Sequence, residues 1–196
     1  MKMAAYSMCI NTKDRLEAGK LTGKRIYIRP INDRDTDNII RWRNSQFVMD
    51  NFIYRIPLDR ETHERWVKDK VKTGQVAQFI IGLNESGEEF GSVYISHIDK
   101  EAASGEFGIF IGKEDMLGKG YGGDAMELIE GYGSKKLGLK LMTLRVIDSN
   151  ERATKLYENM GYTKKSVEYE TITYQDGDKD GKSPSKVKVI YMEKRI

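Results

Sequence analysis

The segment Gly118-Lys119-Gly120-Tyr121-Gly122-Gly123 constrains this chain more than any other stretch. It follows an apolar run, residues 105–112 (GEFGIFIG), that reads as a strand. It precedes Ala125, Leu128, Ile129 and Tyr132 at helical spacing. A strand, a turn of small residues and a helix N-terminus bring several backbone N–H groups and the positive end of a helix dipole to one place. Phosphate or pyrophosphate suits that chemistry. An ordinary glycine-rich turn has the same composition, so the loop alone does not decide. A nucleotide loop of the G-x-x-x-x-G-K-[ST] kind fails, because Gly120 stands where the magnesium-holding hydroxyl belongs and Gly112 lies one residue too far upstream. A dinucleotide turn, G-x-G-x-x-G, is satisfied literally. However, residues 113–117 separate its glycines from the strand, and no repeated βαβ series follows.

Around this loop the hydrophobic pattern gives an element order. Residues 24–30 (KRIYIRP) alternate as a strand, and residues 35–45 place Ile39, Ile40 and Trp42 near one helical face. A second helix is predicted over residues 59–73, with Asp59 as N-cap and Gly74 as stop. Residues 78–83 and 89–98 read as strands around the turn Asn84-Glu85-Ser86-Gly87. Residues 141–147 are a further strand. Residues 148–160 are a helix with Ala153, Leu156, Tyr157 and Met160 in one stripe and Gly161 ending it. Two strand-like runs, 167–174 and 187–192, flank a polar hairpin loop at residues 175–185. Residues 1–21 show no period and read as an arm, with one mixed α/β domain over residues 22–196.

Composition narrows the function classes. The 33 basic and 30 acidic residues leave a net charge of +3, with no basic block or aromatic-basic stripe, so a nucleic-acid face is not expected. The lone cysteine, Cys9, cannot form an intramolecular disulfide. The apolar start of the chain is short and interrupted, and no membrane-length run follows, so the expected setting is the cytoplasm without membrane contact. His63-Glu64-Arg65-Trp66-Val67 lacks the second histidine of a zinc helix, and no metal is expected.

Two motifs together resemble the GNAT acyltransferase superfamily. In the loop, Gly120 and Gly122 match the last fixed positions of its [Q/R]-x-x-G-x-[G/A] pattern, while Leu117 stands where Gln or Arg is usual. Downstream, Asn150, Ala153, Tyr157, Gly161 and Tyr162 match N-x-x-A-x-x-x-Y-x-x-x-G-[FY]. The likeness in element order spans about residues 21–196. The resemblance implies a mostly antiparallel mixed sheet, splayed at its central strand and flanked by helices. It implies acetyl-CoA as cosubstrate, held by Phe110 and Ile111 of that strand, by Leu117, Gly118, Lys119, Gly120, Tyr121, Gly122 and Gly123 of the loop, and by Asn150, Ala153 and Tyr157. Tyr157 would protonate the leaving thiolate. Its ordinary pKa near 10 stands above that of a thiol, near 8.5, by a small gap. Helical spacing alone equally makes Tyr157 a core aromatic.

The general base is open at this stage. Glu106 lies on the central strand where relatives carry a base, and His63 and His97 are alternatives. The resemblance puts the acceptor among the first helices, where Arg29, Trp42, Arg43, Asn44 and His63 would suit an anionic, ring-bearing amine. The tryptophans serve as well for core packing. The arrangements R-P-x-x-x-x-D and W-R-N are similar to enzymes that acetylate protein N-termini of ribosomal proteins, and W-R-N with a later His to those that acetylate nucleotide-linked amino sugars. The expected partner is therefore an amine: a small molecule, an amino sugar or a protein N-terminus. A non-catalytic acyl-CoA sensor stands as the other class, and monomer and homodimer are both compatible with the sequence.

Overall fold

The computed structural model describes residues 19–174 and 186–196. The arm predicted for residues 1–21, its cysteine and the hairpin loop at 175–185 lie outside the described residues, except for the end of the arm. There Leu21–Thr22 forms a short strand, β1, paired with β2, Ile26–Pro30.

Eight strands form one sheet. Besides β1 and β2 these are β4 (Ala77–Leu83), β5 (Glu89–Asp99), β6 (Ser104–Ile111), β7 (Leu141–Ile147), β8 (Thr163–Thr171) and β10 (Lys186–Arg195), in the order β1-β2-β4-β5-β6-β7-β10-β8. All neighbours are antiparallel except β6 and β7. The alternating residues sort onto two faces. Ile26, Ile28, Phe79, Ile81 and Phe107 meet helices α4 (Tyr121–Leu137) and α5 (Glu151–Asn159) through Ala125, Met126, Ile129 and Tyr157. On the other face Ile80 and Phe110 meet Ile39 and Trp42 of α1 (Thr36–Arg43) and Val48 of α2 (Gln46–Met49). Both faces are covered, so Ile26 through Arg29 of β2 are all buried, although the sequence alternates.

The predicted helix over 59–73 is two pieces. Regular α3, Arg60–Trp66, is capped by the Asp59 side chain, which accepts from Thr62 N. A π-helical turn, Val67–Val71, follows and closes with Lys72 N donating to the Val67 carbonyl. One further short strand escaped the sequence pattern: β3, Tyr54–Arg55, pairs in parallel, apart from the main sheet, with β9, Thr173–Tyr174, which is the end of the run predicted over 167–174 and is separated from β8 at Ile172. A strand of two residues is too short to show a period.

The feature that creates the site is the β6–β7 pair. It is a parallel ladder only from Ser104↔Leu141 to Glu106↔Thr143. Beyond Glu106 the strands diverge, while β6 stays paired with β5 as far as Ile111. Among the described residues, one edge of residues 107–111 therefore has no strand beside it.

Candidate active site

A cavity of 840 Å³ occupies this divergence and reaches both faces of the sheet. Ile109, Ile111, Leu117, Gly122, Asn150 and Tyr157 line one part, and Tyr94, His97, Glu106 and Arg145 another. Strand geometry decides which backbone groups face it. Gly112 N donates to Phe90 O on β5, whereas the Ala103 carbonyl accepts from Lys140 and Leu141 on the β7 side. By alternation, the backbone groups of Phe107, Ile109 and Ile111 turn toward the gap. Ile111, expected to hold the cosubstrate, thus turns its backbone groups toward the gap. The backbone of Phe110 is directed to β5, and its buried side chain packs against α1 and α2.

The glycine loop stands at the mouth of this gap. Gly118 and Gly120 take positive φ, +76° and +82°, the left-handed region that glycine enters without steric cost. No side chain among the described residues caps α4, so its leading N–H groups at Tyr121 and Gly122 are open. The loop is braced from the residue just before β2. Arg25 grips Asp124 with two hydrogen bonds of 2.7 and 3.0 Å, and donates to the Lys119 carbonyl at 2.9 Å. Lys119 alone among the loop residues 117–123 does not line the cavity. Arg25 was invisible to sequence reasoning because its partners are 94 and 99 residues away.

Tyr157 sits on α5 between Phe107 and Tyr162, with ring centroids at 6.0 and 6.2 Å. Burial, then the neighbouring Tyr94, pushes its phenol well above the ordinary value of 10, so it carries its proton throughout the neutral range. Asn150 caps α5, its Oδ1 accepting from Ala153 N at 3.1 Å, which anchors the turn that presents Tyr157. Both Asn150 and Ala153 line the cavity.

Glu106 lies where β6 and β7 part. Its Oε1 accepts from Arg145 Nε and Nη2 at 3.2 and 3.1 Å, and its Oε2 lies 3.7 Å from His97 Nδ1. Arg145 also reaches Glu170 at 3.5 Å. Burial alone would lower the Arg145 pKa, but these carboxylates override it and hold the group above its ordinary value. Tyr94 packs across Gly108, where an added Cβ would meet its ring at 2.2 Å. Arg145 and Tyr94 carry no motif in the sequence and are recruited only by strand pairing.

The five residues expected at the acceptor do not line the cavity. Each has another task. Arg29 is buried between Asp35 and Glu89, binding both through hydrogen bonds of 2.7–2.8 Å. Trp42 is a core residue. Asn44 pins the chain by accepting from Leu58 N and donating to Leu58 O. Arg43 donates to the Tyr54 carbonyl at 2.5 Å and stacks on Phe52 at 3.7 Å. His63 is buried, neither ring nitrogen has a partner among the described residues, and burial lowers its pKa. Large aromatics and paired cations at this spacing serve packing, and the short-range pattern does not distinguish that use from ligand binding. The residues that line the cavity there include Phe47, Phe52, Tyr54, Trp66 and Lys70. Among the described residues no group of three or more His, Cys, Asp or Glu stands together to hold a metal, and no helix is long and apolar enough to cross a membrane.

Comparison with known proteins agrees with this geometry. Residues 25–163, more than half of the chain, match the family model described as the acetyltransferase (GNAT) domain. An uncharacterised protein of Methanocaldococcus jannaschii is 31% identical over 153 residues, covering 76% of this chain and 30% of that protein. An uncharacterised N-acetyltransferase, p20, of Bacillus licheniformis is 27% identical over 101 residues, covering 52% of this chain and 56% of that protein. The chain thus spans 30% and 56% of the length of these two relatives. Among solved structures, the spermidine N-acetyltransferase of Vibrio cholerae, in complex with CoA and spermine, superposes with a TM-score of 0.75 at 19% identity, covering 87% of this chain and 95% of that one. That likeness concerns the fold.

Proposed function

The chain belongs to the acetyltransferase (GNAT) domain family, and on that premise we propose that it transfers the acetyl group of acetyl-CoA to a primary amine. The observation that carries this reading is the divergence of β6 from β7, which opens one cavity between the glycine loop and Glu106. The open N–H groups of α4 suit the pyrophosphate of the cosubstrate. The free edge of β6 suits its extended arm and the thioester carbonyl oxygen. A backbone donor aimed at the charge developing there is worth about 3–4 kcal/mol. Glu106 takes a proton from the amine, the nitrogen attacks the carbonyl carbon, and the carbon–sulfur bond breaks. Tyr157 then supplies the proton for the sulfur. A phenol with a raised pKa remains able to do this because the thiolate forms in the same desolvated surroundings, where its own charge is disfavoured.

The acceptor we infer is a single amine on a small, uncharged or anionic body, such as a nucleotide-linked amino sugar. Among the described residues, Glu106 is the one acid lining the cavity, against Lys70, Arg145, Arg152 and Lys155. A polyamine would bring several ammonium groups to a wall that, among the described residues, offers them the single carboxylate of Glu106. The aromatic surface of Phe47, Phe52, Tyr54 and Trp66 favours a carrier with a flat or apolar part.

Thermal unfolding with excess acetyl-CoA, and with NAD and ATP as controls, tests the cosubstrate. At a hundred times its dissociation constant, acetyl-CoA should add about 2.7 kcal/mol of stability. A shift with NAD and none with acetyl-CoA overturns the reading. CoA release is then followed with amino-sugar nucleotides, N-terminal peptides and spermidine. A preference for spermidine would overturn the acceptor class. Binding without release from any amine would favour the sensor.

A further inference from the structure

Acetyl transfer from a thioester to an ammonium ion forms an amide and a thiol and leaves one proton over. Of the two protons the nitrogen gives up, one balances the proton gained by sulfur and the other must leave the site. Glu106 is the first acceptor in the reading above, but it returns to its starting state only by passing that proton on. One of its oxygens, Oε1, is occupied by two donors of Arg145. The other, Oε2, faces His97.

His97 is unusual in its backbone. Its φ is +48°, in the left-handed region that favours glycine, and it is a histidine nonetheless. It also sits in a bulge of β5, where the register with β6 shifts between Ser96 and Asp99. Bulges re-aim side chains, and strained non-glycine residues persist where the local geometry is needed. No packing explains this one, since the side chain is 72% exposed. What the bulge achieves is to set Nδ1 3.3 Å from Ser96 Oγ and 3.7 Å from Glu106 Oε2, with the rest of the ring in solvent.

We propose that His97 is the exit for the proton released by the amine, accepting it from Glu106 and giving it to solvent. This rests on the acetyltransferase reading. Imidazole suits the task because it exchanges protons near neutral pH and has two nitrogens, one for each side of the transfer. His97 acts through Glu106 and is not required to touch the acceptor. The surrounding charged groups are Glu106 of β6, Arg145 of β7 and, beyond it, Glu170 of β8.

The test compares wild type with His97→Gly and His97→Gln for thermal midpoint, kcat and KM, using the acceptor that supports fastest CoA release. His97→Gly should raise the midpoint, because glycine relieves the backbone, and yet lower kcat about tenfold or more. The KM for acetyl-CoA should be unchanged. Added imidazole should restore kcat to His97→Gly, whereas a purely structural histidine would give no such rescue. In a Glu106→Gln background, His97→Gln should cause little further loss. Undiminished turnover in both His97 variants, or a loss that imidazole does not repair, overturns the proposal while leaving acetyl transfer standing. A wild-type chain that binds acetyl-CoA and acetylates no amine overturns the two together.

Discussion

Tyr157 shows how one residue combines a packing role with a chemical one. Its ring is part of the core, edge-on to Phe107, while its hydroxyl belongs to a cavity-lining side chain. Tyr157→Phe retains nearly all of the apolar surface and removes only the acidic proton. Turnover should fall about 10²–10⁴-fold, with the acetyl-CoA-induced thermal shift preserved. Unchanged turnover would leave Tyr157 as a packing residue only. Asn150 permits a complementary measurement. Loss of its cap in Asn150→Ala should cost about 1 kcal/mol, and Asn150→Asp should recover most of it, read by denaturant unfolding. These residues were legible because they recur at short helical spacing. Arg145 and Glu106 are 39 residues apart, and no local pattern joins them.

At the scale of elements, the active arrangement depends on where pairing stops. The glycine loop acts through two left-handed residues that let α4 begin with its N–H groups uncovered. Gly120→Ala would place a Cβ 3.0 Å from Arg25 Nη2 and hold alanine at φ +82°. A loss of about 1 kcal/mol in stability is expected, together with weaker acetyl-CoA binding as the brace from Arg25 shifts. Titration of acetyl-CoA against the variant checks this, and an unaltered affinity would detach the loop from the cosubstrate. The sequence located the loop, both core helices and all the long strands to within a few residues. It missed α2, β3 and the π-helical turn, which brings Lys70 to the cavity wall. Such elements are too short for periodicity and owe their conformation to neighbours.

For the molecule as a whole, buried polar groups set a pH limit. His63 is held neutral by burial, so its folded pKa lies below the ordinary 6.5. The unfolded chain then binds the proton first as pH falls. The stability that this group contributes is complete above about pH 6.5 and is lost as pH drops toward the lower folded value. His63→Leu should flatten the decline in thermal midpoint between neutral and mildly acidic pH. A decline as steep as that of wild type would assign acid sensitivity elsewhere. The Arg29 cluster with Asp35 and Glu89 joins β2, the turn before α1 and β5 in one buried ionic knot. Removing Asp35 there would leave the buried Arg29 guanidinium with only the partly exposed Glu89 as its charged partner.

The sequence by itself determined the family, the glycine loop, the order of the long elements and the motif that contains Tyr157, because each is written in residue types at short, regular spacing. Only the tertiary structure decided that Arg29, Trp42, Arg43, Asn44 and His63 serve the scaffold, and that Tyr94, His97 and Arg145 join Glu106 at the cavity. The physical reason is that a cavity is a property of strands that part. Parting depends on the register between β6 and β7, which no local run of residues specifies.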